Sequence, residues 1–372
     1  MAMAKIPVAV LGATGVVGQR FLARLAVHPA FTVQHLCASE KNVGKRLREA
    51  CAWRLPDRPL PEGAVLGPYA GLGERVLAAA DPARAFAPVV FSALDAPVAR
   101  EVEPSYARAG ALVFSNASAF RMDEDVPLLI PEVNAGHLEA LTQQRARRGW
   151  RGAIVCNPNC TSTILTVALA PLHAAFGVEA VSLVSMQAVS GAGYPGVASL
   201  DILGNVIPFI RGEEDKLAAE TSKMLGRWAG SRVEPAPLLL SASCNRVAVE
   251  DGHTLSVGVR LRGAPGLADV RAAFERWRPL EGSGLHSAPA QPIVVHDEED
   301  RPQPRRDVDS AGGMQVHVGR LRPCPILGLQ FTALGHNAER GAAGASVLNA
   351  ELALLRGFLD GARGPEGLKS RA

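Results

Sequence analysis

Lys5-Ile-Pro-Val-Ala-Val-Leu-Gly12-Ala-Thr-Gly15-Val-Val-Gly18-Gln-Arg-Phe-Leu-Ala-Arg-Leu-Ala-Val27 decides the fold. Its apolar opening predicts a buried parallel strand, despite Pro7 near the start. Three glycines follow at once. Apolar residues then recur at helical spacing until His28-Pro29. Residues 31–38 read as a second strand. Strand, glycine-rich turn, helix and strand in succession form a dinucleotide-binding unit. The glycines let backbone N–H groups approach a pyrophosphate at the helix N-terminus. The spacing is G-x-x-G-x-x-G rather than the commoner G-x-G-x-x-G, so the setting between strand and helix carries the reading.

The end of the second strand bears on cofactor choice. An NAD site places Asp or Glu about 20 residues past the glycines, on the ribose 2′-hydroxyl. Here the strand runs into Cys37-Ala-Ser39-Glu40-Lys41, with Lys45 beyond. Ser39 can hydrogen-bond a 2′-phosphate, and Lys41 or Lys45 can neutralise it. Glu40 opposes this, and the balance favours NADP.

Further apolar runs at residues 88–94 and 111–115 read as strands, and residues 128–134 as extended. Ligands gather at the carboxyl ends of strands in open α/β sheets. Ser92, Asn116 and Arg121 are placed for that, and the Arg121 fork suits phosphate or carboxylate.

The chemistry centres on Ile154-Val-Cys-Asn-Pro-Asn-Cys160-Thr-Ser-Thr-Ile164. Residues 152–156 read as a short strand, Asn157-Pro-Asn159 breaks it, and an apolar helix follows. Cys160 therefore sits at a helix N-terminus. The helix dipole and unpaired N–H groups there stabilise a thiolate and can hold an oxyanion. A cysteine so placed is a candidate covalent nucleophile. Cys156 and Cys160 do not make a zinc site, because Cys37, Cys51, Cys244 and Cys324 are scattered singly.

At 372 residues the chain has room for two domains. A hydrophobic content of 48% and a charged content of 20% are ordinary for a soluble globular protein. Net charge is +3, with no basic cluster carrying interleaved aromatics, so nothing calls for nucleic acid. No apolar run is long enough to span a membrane, and the start runs straight into a strand, unlike a signal peptide. Six unpatterned cysteines fit a reducing cytoplasm.

Beyond the Cys160 helix the texture changes. Residues 181–189, 237–243, 254–261, 314–320 and 326–333 read as strands, and residues 210–225 as a helix. Leu255, Val257, Val259 and Leu261 alternate, so one face of that strand is buried. Strands with few helices between them predict a mainly antiparallel sheet in an α+β second domain. Residues 296–309 read as a solvated, charged loop, residues 337–359 as helical, and residues 361–372 as a frayed tail.

With these residues in hand, the chain resembles aspartate-β-semialdehyde dehydrogenase, most closely its archaeal and fungal branch. The resemblance covers nearly the whole length. It rests on Gly12-Ala-Thr-Gly-Val-Val-Gly-Gln19, Ser115-Asn-Ala-Ser118, Cys156-Asn-Pro-Asn-Cys-Thr-Ser162, Gln187, Gly212-Glu-Glu-Asp-Lys216, Arg246 with His253, and Arg340-Gly-Ala-Ala-Gly344. It implies a Rossmann-type domain over residues 1–159, completed by a helix over 337–372. A catalytic and dimerisation domain like that of glyceraldehyde-3-phosphate dehydrogenase would occupy residues 160–336. It also implies NADP-dependent, phosphate-linked interconversion of L-aspartate 4-semialdehyde and 4-phospho-L-aspartate, in lysine, methionine and threonine synthesis.

By the same resemblance Cys160 is the nucleophile, His253 the acid/base, and Gln187 orients the substrate. Arg246 binds the α-carboxylate and Glu213 meets the α-amino group. Lys216 and Arg121 hold the phosphate, with Asn116 beside them. Gly12, Thr14, Gly15, Val16 and Val17 line the pyrophosphate site, and Ser39 meets the 2′-phosphate. Ser92, Gly191 and Asn337 complete the cofactor site, Asn337 on the nicotinamide amide. His336 stands where many relatives are expected to have Asp. A homodimer or homotetramer is expected, since the apolar second sheet needs a covering partner. The alternatives are malonyl-CoA reductase, disfavoured because a diacid thioester has no α-amino group for Glu213, N-acetyl-glutamyl-phosphate reductase, and an inactive paralogue serving as a binding partner.

Overall fold

The structure, a computed structural model, describes residues 4–55 and 71–359. The chain divides into two compact units. One takes the chain up to Pro127, Leu138–Asn157 and the chain from Ser346; the other takes Leu128–His137 and Pro158–Ala345.

In the first unit, strand β1 (Ile6–Leu11), helix α1 (Val16–Ala26) and strand β2 (Phe31–Cys37) realise the opening motif. Strands β3 (Val89–Ser92), β4 (Leu112–Ser115) and β5 (Ala153–Cys156) complete a sheet of order β2-β1-β3-β4-β5. Every pairing is parallel. Strands β3, β4 and β5 are buried throughout, which is why they read as unbroken apolar runs rather than alternating ones. Phe91 on β3 packs against Phe21 of α1, Phe31 of β2 and Phe114 of β4, with ring centroids 5.0 to 6.0 Å apart. The order reverses at β1, so the carboxyl ends of β1 and β3 open where a doubly wound sheet takes its ligand. Helix α2 (Ala96–Ala109) follows β3.

In the second unit, helix α3 (Cys160–Phe176) is buried almost all round from Thr161 to Leu172. It lies on a six-stranded sheet made of β6 (Val178–Gln187), β7 (Leu239–Arg246), β8 (His253–Leu261), β9 (Ile293–Val295), β10 (Val316–Cys324) and β11 (Gly328–Gly335). The order is β9-β10-β11-β8-β6-β7. The β10–β11, β11–β8 and β8–β6 pairings are antiparallel, as expected. The β6–β7 and β9–β10 pairings are parallel, so the sheet is mixed. The reason is a crossover. Helix α4 (Glu213–Met224) lies between β6 and β7 in the chain and returns it in the same direction. Helix α3 sits so close to the sheet that a Cβ on Gly335 would fall 2.7 Å from the Ile164 side chain.

Three expectations differ from the structure. Pro131–Asn134 is helical rather than extended, since proline is favoured at a first helical position. The helix expected from Asn337 begins at Ala343 and runs to Leu355 as α5. Before it, Gly341 N–H donates to His336 O and Ala343 N–H to Ala338 O in tight turns. The loop over 296–309 is not simply solvated, because Asp307 is buried against Arg301 and the His296 ring stacks on His317. The tail at 361–372 lies outside the described residues. Among the described residues no helix is long and apolar enough to cross a membrane.

Candidate active site

Asn159 caps α3 and thereby fixes Cys160. Its Oδ1 accepts from the Thr161 and Ser162 N–H groups at 2.9 and 3.1 Å, so Cys160 is the first residue of the helix. Helix α4 holds Asn159 from both ends. Glu213 Oε1 accepts from Asn159 Nδ2 at 2.8 Å, and Glu220 Oε2 accepts from the Asn159 backbone N–H at 2.7 Å. These carboxylates sit two turns apart on one helix face. Both are buried.

His253 opens β8 and is fully buried. Its Nε2 lies 3.2 Å from Cys160 Sγ, and its Nδ1 accepts the Ala188 N–H at 3.1 Å. That backbone donor settles the tautomer. Nδ1 must present its lone pair, so the single proton of the neutral ring sits on Nε2 and points at the sulfur. Burial pushes the imidazole down to about 3, and the neighbouring Arg246 and His336 push the same way. The ring is therefore neutral across the physiological range and acts toward the sulfur as a donor.

Arg246, at the end of β7, is buried and donates Nη1 to Ala188 O at 2.7 Å. Gln187, at the end of β6, donates Nε2 to Ser185 Oγ at 3.2 Å and to Glu213 Oε1 at 3.3 Å. Glu213 Oε1 also accepts from Thr161 Oγ1 at 3.2 Å. Its other oxygen lies 3.9 Å from Lys216 Nζ, which is partly exposed. Gly191 closes the group. A Cβ there would fall 3.0 Å from Arg246 Nη1 and 3.1 Å from the His253 ring. The structure thus brings Cys160, His253, Gln187, Arg246, Glu213, Lys216 and Gly191 into one neighbourhood of the second unit.

Asn337 makes two hydrogen bonds beyond its expected role. Its Oδ1 accepts from Gly252 N–H at 2.9 Å and its Nδ2 donates to Ser190 Oγ at 2.8 Å. These two bonds hold the segments on either side of His253's turn and leave the second Nδ2 hydrogen uncommitted by them. Two residues to which the sequence assigned no role matter here. Glu220 shares the face of Glu213, a signal that helical periodicity alone could have given. Gly341 backs the thiol residue, where a Cβ would fall 2.5 Å from Cys160 Cβ and 2.4 Å from Asn337 O.

In the first unit the glycine turn fits a dinucleotide pyrophosphate. Gly12 has φ +76°, and a Cβ there would lie 2.6 Å from Ala93 O; one on Gly18 would lie 2.2 Å from Gly12 O. Close packing therefore requires both. Gly15 caps α1 with no side-chain hydrogen bond, and the first turn holds no acidic residue, so its amides face outward toward an anion. Thr14, Gly15, Val16 and Val17 are all at least partly exposed around this turn. Ser39, Lys41 and Lys45 are exposed just past β2. Asn116 donates its backbone N–H to Ser92 O at 3.0 Å and accepts from Ser346 Oγ at 3.2 Å. Arg121 is buried and donates Nη2 to Asn116 O at 2.7 Å. Ser92 departs from expectation, because its hydroxyl is wholly buried and faces Glu103 of α2 rather than an open site.

Residues 7–141 match the family described as semialdehyde dehydrogenase, NAD binding domain, and residues 169–339 match semialdehyde dehydrogenase, dimerisation domain. The class is therefore that of the semialdehyde dehydrogenases. An aspartate-semialdehyde dehydrogenase of Archaeoglobus fulgidus is 50% identical over 93% of this chain and 97% of its own length. One of Trichophyton rubrum is 42% identical over 94% of this chain and 97% of its own. A crystal structure of the Candida albicans enzyme with NADP superposes with a TM-score of 0.85 at 39% identity, covering 95% of this chain and all of that one. The chain belongs to the aspartate-semialdehyde dehydrogenase family.

Proposed function

We propose that the chain reduces 4-phospho-L-aspartate to L-aspartate 4-semialdehyde, and runs the reverse reaction with phosphate, through a thioester on Cys160. The observation that carries this reading is the 3.2 Å pairing of Cys160 Sγ with a neutral His253 whose Nε2 bears the proton. A sulfur facing an N–H donor is held best as the thiolate, the nucleophilic form. The thiolate attacks the acyl carbon, the carbon–sulfur bond forms, and the carbon–oxygen bond to phosphate breaks. Bound as NADPH, the cofactor would supply the hydride to the thioester carbon and leave as NADP⁺. The His253 Nε2–H then donates a hydrogen bond to the oxyanion on that carbon. As the oxyanion collapses to the aldehyde, the carbon–sulfur bond breaks and the thiolate returns to its donor.

Within the second unit Arg246 takes the substrate α-carboxylate by its planar fork, and Lys216 takes phosphate as a point charge. Gln187 orients the acyl group, Glu213 meets the α-amino group, and Gly191 leaves room above His253. In the first unit Arg121 and Asn116 are assigned to phosphate. Gly12, Thr14, Gly15, Val16 and Val17 are assigned to the NADP pyrophosphate, and Ser39 with Lys41 or Lys45 to its 2′-phosphate. Asn337 supports Gly252 and is assigned to the nicotinamide amide as well, through its second Nδ2 hydrogen. We assign the catalytic roles to a homodimer acting in amino-acid biosynthesis in the cytoplasm. The matches do not favour malonyl-CoA reductase.

The test is NADP⁺ reduction with L-aspartate semialdehyde, with and without phosphate or arsenate, repeated with NAD⁺. Absorbance growth that requires the oxyanion is expected. Turnover only with malonyl-CoA and NADPH would overturn the reading.

A further inference from the structure

Glu103 is the most isolated buried acid of the first unit. It lies in α2, is wholly buried, and no salt bridge among the described residues involves it. Its Oε1 accepts from Ser115 Oγ at 2.6 Å, and Ser115 Oγ in turn accepts the Ala117 N–H at 3.1 Å. Ser115 ends β4, and Ala117 stands in the loop that bears Asn116 and Arg121. The carboxyl also meets the buried Ser92 hydroxyl at the end of β3, which carries its own proton and can donate to it. Two serine hydroxyls, one from each strand end, therefore converge on one buried carboxyl. Burial raises the carboxyl to about 7 in spite of these two donors. The same helix grips the loop a second time, since Arg100 donates to Ala119 O and lies over the Phe120 ring.

We propose that Glu103 is a positioning residue whose carboxyl ties the ends of β3 and β4 together through Ser92 and Ser115 and orders the loop that presents Asn116 and Arg121. The chain of contacts runs from Glu103 through Ser115 to the Ala117 amide. Its significance for turnover rests on the assignment of Asn116 and Arg121 to phosphate.

The experiment compares the full-length wild type with Glu103→Gln, Glu103→Ala and Ser115→Ala. Glutamine has the shape of the neutral acid, offers one donor and one acceptor face, and cannot ionise. Amide hydrogen exchange over residues 112–122 is read first, because it does not depend on any substrate. Glu103→Ala and Ser115→Ala are expected to raise exchange there at least tenfold, and Glu103→Gln to leave it unchanged. In turnover, the two alanine variants are expected to raise the phosphate KM severalfold with little change in kcat, and glutamine to rescue it. A folding defect alone would not split KM from kcat in this way. If Glu103→Ala leaves exchange unchanged, or if Glu103→Gln is as damaged as Glu103→Ala, the proposal is overturned. If the exchange pattern holds while the wild type shows no phosphate-dependent turnover, the positioning role stands and the phosphate assignment falls. Should Glu103→Ala not fold, Ser115→Ala carries the same comparison.

Discussion

Cys160 and His253 form a pair whose polarity is set by a backbone amide. Ala188 N–H occupies Nδ1, so His253 has one N–H donor and one direction in which to aim it. Replacing His253 by Ala is expected to lower kcat by about 10²–10³-fold, the usual worth of a donor to a developing oxyanion, while the KM for NADP⁺ changes little. Cys160→Ala is expected to abolish turnover and to leave NADPH binding intact by fluorescence titration. Activity in that variant would end the nucleophile assignment. Gly341→Ala drives a methyl into Cys160 and the Asn337 carbonyl, so a loss of about 1–3 kcal/mol in thermal unfolding is expected. Cys160 was legible because it stands at an abrupt change of pattern, from Asn-Pro-Asn to an apolar helix. The role of Gly341 was not legible, since one of the residues it must avoid, Cys160, lies far away in the chain and the other, Asn337, is near only because of a local turn. The Ser92 side chain misled because a strand's carboxyl end tells where a residue is, while the direction of its hydroxyl depends on a helix that follows.

Among the elements, α3 and α4 act together. The N-cap of one is the shared ligand of two buried carboxylates on the other. Asn159→Ala removes a cap worth about 1 kcal/mol. It also leaves Glu213 without one of its donors, so the measured loss in denaturant unfolding is expected to exceed the cap alone, with slower alkylation of Cys160 by iodoacetamide. Helix α2 gives a pH signature of its own. Glu103 binds its proton more tightly folded than unfolded, with values of about 7 and 4.5. Its contribution is therefore intact below 4.5 and is lost as pH rises toward 7. Glu103→Gln is expected to match the wild type in unfolding at pH 4 and to exceed it at pH 8; the reverse order at pH 8 would show that the ionised acid stabilises the native fold. The doubly wound sheet was readable from its apolar runs, which arise because both faces are buried. The two parallel pairings of the second sheet were not, because strand direction depends on where a crossover helix lands and not on which residues alternate.

At the scale of the whole molecule, the sheet of the second unit has one face under α3 and another still open. Val184 and Met186 project from β6 on that open face and are 45% and 36% exposed, and Leu239 at the start of β7 is 77% exposed. With a matched dimerisation domain, this face is the natural place for a second copy. Val184→Lys is expected to shift sedimentation toward the monomer at micromolar concentration and to leave the first unit's NADPH binding unchanged. A wild type that is itself monomeric would refute the assignment. The broad plan, a nucleotide sheet followed by a sheet-and-helix domain, followed from period and punctuation along the chain. The finer partition did not: residues 128–137 pack in the second unit, and no local pattern marks that excursion.

The fixed tautomer of His253 has a consequence for inhibitor design. A warhead that leaves an oxygen beside its electrophilic carbon, such as an acyl phosphonate or an activated ketone, can take the Nε2–H once the sulfur has bonded. An alkyl halide offers no such oxygen and strands the donor in a dry pocket. Selective covalent ligands for this thiol should therefore be chosen by the anion they generate on capture rather than by their intrinsic reactivity.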